Sequence, residues 1–282
     1  VEGWYLILMI WSDAYGDADC NRLIRTAHAH SSSLKGVVVL SDRTNRQLDA
    51  RAIQSPIAVD FDRPEHKKNG LAVKISLFEI DALPAGAPCV YVDLDSAIIG
   101  DLGQLAVLTR HGPLWTLPTS RARFSAWSRL RWRLSGGRRY DAGNSSIFAY
   151  RNAFPGNPTV KFRARTPVLG QAASDIIRGN DDLFVGWSCQ DTIRPLPSNL
   201  AVRFRIEFLE LSLWLNQIKA LLRRKKRQDL VVITFDGALT KPDVIAGLSD
   251  GELVTDHHGR RARWTDFQMG GLRARMRAGL RR

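Results

Sequence analysis

The sequence predicts an α/β fold, a mixed and mostly parallel sheet flanked by helices. Three observations predict it. Short apolar runs bounded by turn residues recur at Tyr5–Trp11, Val37–Leu40 and Val90–Val92, the pattern of strands buried on both faces. Between the first two lies Asp17–His30, with Leu23, Ala27 and Ala29 among its apolar positions, which reads as a helix. Strand–helix–strand alternation of this kind is that of a parallel sheet covered by helices. The third run ends in Asp93-Leu94-Asp95, and ligands of open α/β sheets gather at the carboxyl ends of strands.

The other elements follow in order. Ser12-Asp13-Ala14-Tyr15-Gly16 has turn chemistry after the first strand. Ile57–Val59 reads as a short third strand, and Ala72–Ile80 as a helix with Val73, Leu77 and Ile80 at helical spacing. Leu114–Leu117 reads as a strand, and Ser145–Tyr150 as another, entered through Asp141-Ala142-Gly143-Asn144. Pro195 and Pro197 end whatever structure precedes them. Phe208–Arg227 reads as an amphipathic helix with Leu211, Trp214, Leu215, Ile218 and Leu222 on one side. Leu230–Phe235 reads as a last buried strand. The expected organisation is a domain over 1–245, with a basic Arg/Trp insertion at 120–139 and the basic amphipathic helix at 208–227. A basic C-terminal tail over 246–282 follows as an appendage.

A chain of 282 residues with 44% apolar composition has material for a sizeable core. Cys20, Cys89 and Cys189 are too far apart to suggest a disulfide framework or a metal-ligand pair, which fits a reducing, cytoplasmic setting. The run Trp4–Trp11 is too short to span a bilayer, and Glu2 before it excludes a basic signal-peptide start. The chain begins with Val1, so an upstream segment stays open. Net charge is +13, carried by three segments: Arg121–Arg139, Arg223–Arg227 and His257–Arg282. The remainder is net acidic. Such segments meet anionic partners: phospholipid, anionic glycan or nucleic acid.

Asp93 and Asp95 carry the chemistry. Carboxylates at i and i+2 on a strand share a face, and two like charges there raise each other's pKa unless a cation lies between them. The arrangement therefore predicts a divalent ion, with oxygen ligands favouring Mg²⁺ or Mn²⁺. The competing reading is a solvated turn.

Several segments then match one group in order. Trp11-Ser12-Asp13-Ala14-Tyr15-Gly16 with Asn21-Arg22-Leu23 is similar to its first strand and nucleotide loop, and Val39-Leu40-Ser41-Asp42 to its second strand end. Lys74 with Leu77-Phe78, Tyr91-Val92-Asp93-Leu94-Asp95, Asn144-Ser145-Ser146, Gln190-Asp191, and Phe235-Asp236-Gly237 with Lys241-Pro242 follow. Over about residues 4–245 the chain resembles GT-A-fold glycosyltransferases, in particular bacterial relatives of the glycogenin and lipopolysaccharide galactosyltransferase kind.

That resemblance implies a GT-A-type nucleotide-sugar-binding fold and a metal-dependent transferase. The sugar would pass from a nucleotide-sugar donor to a glycan or lipid-linked acceptor, in surface polysaccharide synthesis and with retention at the anomeric carbon. It implies Asp93, Asp95 and Asp236 as ligands of Mn²⁺ or Mg²⁺. It implies Trp11, Asp13, Tyr15, Lys74, Ser145 and Lys241 at the donor, and Asn144, Gln190 and Asp191 at the reacting sugar. Three positions depart from the family. Asp236 stands where the family has His, Cys189 where it has an acid, and Lys241 lies one residue further from Gly237 than in the family pattern. Asp ligates either ion through oxygen, so the site is either kept with a third carboxylate or altered.

The basic amphipathic segments imply peripheral attachment to the anionic inner face of the cytoplasmic membrane; a core-packed helix with a solvated basic end is the competing reading. Two alternatives belong to other classes. One is a non-catalytic relative that binds sugar nucleotide or glycan. The other is a basic nucleic-acid-binding protein, which leaves Asp93 and Asp95 unexplained.

Overall fold

The computed structural model describes residues 2–62, 73–119, 124–136, 140–141, 143–169 and 181–281. Arg121, Arg123, Arg138 and Arg139 of the expected insertion lie outside the described residues, as do Ala72 and Ala142. In chain order the elements begin with β1 (Trp4–Ile10), α1 (Asp17–His30), β2 (Leu34–Ser41), β3 (Ala52–Pro56), a 3-10 helix over Val73–Phe78, β4 (Pro88–Val92) and β5 (Ser96–Ile98). Then come α2 (Gly103–Ala106), β6 (Leu114–Pro118), α3 (Ala126–Leu134), β7 (Gly143–Arg151), α4 (Pro158–Leu169), α5 (Asp181–Ser188), β8 (Ile193–Pro195) and β9 (Ala201–Arg203). The chain closes with α6 (Phe204–Phe208), α7 (Leu213–Gln228), β10 (Val232–Thr234), α8 (Pro242–Gly247), β11 (Leu253–Thr255), β12 (Arg261–Arg263) and α9 (Arg273–Leu280).

Two compact units result. The first comprises Val1–Tyr15, Ser33–Val92 and Leu105–Leu196. It holds a seven-stranded sheet in the order β3-β2-β1-β4-β7-β6-β8. Pairing is parallel for β1–β2, β2–β3, β1–β4 and β6–β8, and antiparallel for β4–β7 and β6–β7. This is the mixed, mostly parallel sheet that the sequence predicts. Its core packs Ile7, Met9, Tyr91, Phe148 and Tyr150 against Phe78, Phe154, Phe162 and Phe184, with edge-on ring pairs such as Phe78–Tyr150 at 5.2 Å. The third strand lies at β3 and not at Ile57–Val59: Ile57 is buried and Ala58 half-buried against the core, but Val59 is 88% exposed and the segment forms no strand among the described residues. The expected helix at Ala72–Ile80 is the 3-10 helix.

The second unit comprises Gly16–Ser32, Asp93–Gln104 and Pro197–Arg282. A three-stranded sheet, β5-β10-β9, lies at its centre. α1 covers the predicted span, with Asp17 and Asp19 in its first turn, where the helix dipole favours anions. The expected C-terminal tail is folded. β11 pairs with β12, and Val254, Ala262, Trp264, Met269, Leu272, Met276 and Leu280 join Phe204, Phe208, Ile233 and Phe235 in one core.

The segment read as one helix over 208–227 is two, α6 and α7, separated by a bridge between Glu210 and Arg261. α7 turns its polar side inward. Arg227 is buried, bonded to the Glu207 carboxylate at 2.8 Å and to the Gln268 carbonyl at 2.7 Å. Asn216 is buried and donates to the Phe208 carbonyl. The apolar side, Trp214, Leu215, Ile218, Leu221 and Leu222, is exposed. The core-packed reading of this helix is thereby overturned. Among the described residues, no helix is long and apolar enough to cross a membrane.

Candidate functional site

The chain direction of the three-stranded sheet gathers one cluster. β10 runs parallel to β9 and antiparallel to β5, with Thr234 opposite both Arg203 and Ser96. The end of β10, the end of β9 and the start of β5 therefore coincide. Asp95 precedes β5, Asp236 follows β10, and Arg203 closes β9. The Phe235 N–H donates to the Asp95 carbonyl at 2.9 Å. Lys241 Nζ lies 3.3 Å from Asp95 Oδ2, and Thr234 Oγ1 lies 3.5 Å from Asp95 Oδ1.

Arg22 sets the backbone of this cluster. Only 1% exposed, it leaves α1 and donates to the carbonyls of Leu94 at 2.8 Å, Ser96 at 2.7 Å and Gly279 at 2.9 Å. Two of these carbonyls flank Asp95. Burying a guanidinium is costly unless acceptors replace its water, and the three carbonyls do so.

Asp236 does not take the place expected of it. Its Oδ2 accepts from both Arg203 and Arg205. Burial pushes the Asp236 carboxyl up, but the two guanidiniums outweigh burial and hold its pKa below the usual value. Among the described residues, no three Asp, Glu, His or Cys side chains come together as a metal-binding group. An ammonium beside Asp95 and two guanidiniums on Asp236 are the wrong charges around a divalent cation. The residues present therefore do not fit the expected three-carboxylate Mn²⁺ or Mg²⁺ centre.

Asp93, half-buried, lies in the second unit with Asp95; the first unit holds the other predicted residues. After β1, Ser12 adopts φ +62° and donates its N–H to Asp42 Oδ2 at 3.1 Å. Arg46 clamps the turn, donating to Asp42 Oδ1 at 3.0 Å and to the Ser12 carbonyl at 3.2 Å. Burial pushes the Asp42 carboxyl up, but the Ser12 N–H and Arg46 bring it below its usual value. Asp13 is exposed and pairs with Arg43 at 2.7 Å. Trp11 and Tyr15 are half-buried, Trp11 against the core of this unit.

Lys74 and Ser145 come together with two acids that the sequence reading did not single out, while Asn144 turns its Oδ1 to the Ser146 N–H at 3.3 Å. Lys74 Nζ lies 3.5 Å from Ser145 Oγ, 3.9 Å from Asp181 Oδ2 and 5.7 Å from the centre of the Tyr91 ring. The Ser145 N–H donates to Asp182. Burial, then the charge of Asp181, pushes the Asp182 carboxyl up to about 6. A Cβ at Gly143, the first residue of β7, would overlap the Thr116 side chain. The absent side chain lets β7 close against β6 where the register shifts between Thr116 and Leu117.

Gln190 and Asp191 differ in setting. Gln190 is 1% exposed, its Oε1 accepts from the Asp141 N–H at 2.7 Å, and its Nε2 has no partner among the described residues. Asp191 is exposed, 3.6 Å from Arg133. Both line a cavity of about 600 Å³ with Trp132, Arg133, Lys161 and Trp187. The indole N–H of Trp132 is also buried without a partner among the described residues. Aromatic faces and unused N–H donors suit sugar rings and hydroxyls. Cys189, where the resembling family has an acid, is no substitute: burial pushes its thiol up to about 11, so it stays uncharged. The adjacent sequence offered one signal for the missed residues, the Asp181-Asp182 pair opening α5 ahead of Gln190.

No family model and no curated protein sequence matches the chain. Solved structures do. The apo bifunctional glycosyltransferase WbbM is matched at TM-score 0.51 and 12% identity over 86% of this chain and 47% of WbbM. The glycosyltransferase GlyE of Streptococcus pneumoniae TIGR4 is matched at 0.51 and 14% over 85% of this chain and 56% of GlyE. The galactosyltransferase LgtC, in complex with donor and acceptor sugar analogues, is matched at 0.50 and 9% over 84% of this chain and 88% of LgtC. This chain thus spans about half the length of WbbM and GlyE. At these identities the likeness is one of fold, and the fold is the GT-A type that the sequence resemblance implied.

Proposed function

We propose that this chain is a glycosyltransferase that moves a sugar from a nucleotide-sugar donor to a glycan or lipid-linked acceptor, in surface polysaccharide synthesis. The observation that carries the reading is the fold shared with WbbM, GlyE and LgtC, with Asp93-Leu94-Asp95 at the end of buried β4. Asp13, Tyr15 and Trp11 take the nucleoside, on a turn that Asp42 and Arg46 hold in shape. Lys74, Ser145 and Asn144 take polar groups of the donor, and Lys241 adds positive charge at its diphosphate. Gln190 and Asp191 take sugar hydroxyls in their aromatic-lined cavity.

Transfer breaks the bond between the anomeric carbon and the diphosphate oxygen and forms one to the acceptor oxygen. The acceptor proton leaves with the departing diphosphate, and approach on the same face gives retention. The departing nucleoside diphosphate takes the electron pair of the broken bond, so negative charge builds up on its oxygens and positive charge beside them lowers the barrier. The expectation of Mn²⁺ or Mg²⁺ now rests on Asp93 and Asp95 alone, and no step here is drawn through a metal.

The outward apolar side of α7, followed by exposed Arg224 and Lys225, supports peripheral attachment to an anionic membrane face on the cytoplasmic side. α3 of the first unit repeats the pattern, with Trp127, Leu130 and Leu134 exposed beside Arg131 and Arg133.

A non-catalytic sugar-nucleotide-binding protein is the second reading, favoured by the engaged Asp236 and the uncharged Cys189. Thermal stability with a panel of nucleoside diphosphates and sugar nucleotides tests both, followed by donor turnover with glycan acceptors. Stabilisation by one nucleotide with turnover supports the transferase; stabilisation without turnover on any acceptor supports the second reading. A nucleotide at 100 times its dissociation constant adds about 2.7 kcal/mol.

A further inference from the structure

We infer that Arg203 and Arg205 form an anion site for the diphosphate of the nucleotide, and that this site supplies charge which the family draws from a metal. The inference rests on the glycosyltransferase reading and names the groups that hold its leaving group.

Two guanidiniums share one carboxylate oxygen, Asp236 Oδ2, while Oδ1 is buried with no partner among the described residues. The Arg203 and Arg205 side chains are 19% and 10% exposed. Two cations against one anion leave an excess positive charge in a place of low exposure, which is costly unless another anion completes it. The other nearby acid, Asp256, is held by Arg260 at 2.8 Å and by the N–H groups of His258 and Arg260. Among the described residues, the Nε atoms of both Arg203 and Arg205 are buried and without partners. These are unused charge-assisted donors, of the kind that phosphate oxygens take in pairs.

The surroundings fit a phosphate. Arg205 Nη1 lies 3.0 Å from Nδ1 and 3.2 Å from Nε2 of His257. Gly237, at φ +88°, presents bare backbone there: a Cβ on it would stand 3.7 Å from Arg205 Cζ and 3.6 Å from His257 Nδ1. The same sheet end carries Asp95 with Lys241. In this arrangement Asp236 is the resident counter-ion of two arginines, which a phosphate oxygen joins or displaces.

The test is calorimetric binding of nucleoside 5′-diphosphates and the matching monophosphates, each in chelator and in Mn²⁺ or Mg²⁺. The proteins are the wild type, Arg203→Gln, Arg205→Gln and Asp236→Asn. The expected result is diphosphate binding that survives the chelator. Each arginine variant weakens the diphosphate by about tenfold or more and leaves the monophosphate unchanged. Asp236→Asn binds the diphosphate as tightly as wild type or tighter. Binding that needs the metal and is lost in Asp236→Asn overturns the inference and makes Asp236 a metal ligand, with the transferase reading intact. A folded wild type that binds no nucleotide under any condition removes the transferase reading and the inference with it. If Arg205→Gln fails to fold, Arg203→Gln and Asp236→Asn still decide.

Discussion

Arg22 Nη2 donates to the carbonyl of Leu94 at 2.8 Å, inside the Asp93-Leu94-Asp95 triplet. The guanidinium is anchored at three carbonyls and buried, so it acts as a brace for the turn. Arg22→Ala leaves those acceptors buried without a donor, each costing about 1–3 kcal/mol. The expected outcome is a loss large enough to impair folding at 37 °C. Arg22→Lys restores one charged donor and should recover part of the loss. Chemical denaturation of the two variants checks this; an Arg22→Ala protein as stable as wild type would show that the turn holds itself.

Asp182 gives a pH dependence. Burial raises its carboxyl to about 6, from an ordinary aspartate value of about 4. Between those values the folded chain holds a proton that the unfolded chain has released. Stability from this group therefore falls as pH rises from about 4 to about 6 and stays low above that, by up to about 3 kcal/mol. Asp182→Asn keeps an oxygen for the Ser145 N–H and removes the ionisation. Urea midpoints of the variant and the wild type should converge near pH 4 and diverge by pH 7, the variant being the more stable. Parallel curves would count against the assignment.

Much of the first unit was legible because its strands are buried on both faces. Runs such as Val37–Leu40 and Val90–Val92 have no charged residue to blur them; in the second unit α1 was legible from apolar positions such as Leu23 and Ala27, both of which are buried. β3 was not, because the eye follows Ile57–Val59 while the pairing partner of β2 is the half-polar Ala52–Pro56. The engagement of Asp236 was hidden for another reason. Arg203 and Arg205 reach it through the pairing of β9 with β10, about thirty residues away in sequence, and only the register shows it. α7 left two readings open, because an apolar stripe suits a core or a membrane face alike until Glu207 and Arg227 are seen to take the inner side.

Asp191 separates function from structure. It is exposed and its partner Arg133 lies 3.6 Å away, a pair worth less than about 1 kcal/mol. Asp191→Asn should leave the unfolding midpoint within the error of measurement and lower sugar transfer by about tenfold or more. Donor turnover against acceptor concentration shows whether the loss lies in kcat or in KM. Unchanged transfer would reduce Asp191 to the partner of Arg133.

α7 offers the sharpest contrast between its two sides. Trp214, Leu221 and Leu222 are 62%, 59% and 80% exposed, so changing all three to Ser removes little packing. Stability should shift by well under 1 kcal/mol, as at other surface positions. On the inner side, Glu207→Ala strips Arg227 and Arg223 of the carboxylate that each meets at 2.8 Å. That should cost about 3–5 kcal/mol, because a buried guanidinium is left without its counter-charge. Co-sedimentation with vesicles of anionic and of neutral lipid supplies the second readout. The wild type should bind the anionic vesicles and release them at high salt, since each Lys or Arg near such a surface contributes about 1 kcal/mol. The triple Ser variant should stay in the supernatant while melting like the wild type. A triple variant that still sediments would assign attachment to the other basic segments and leave the exposed side of α7 without that role.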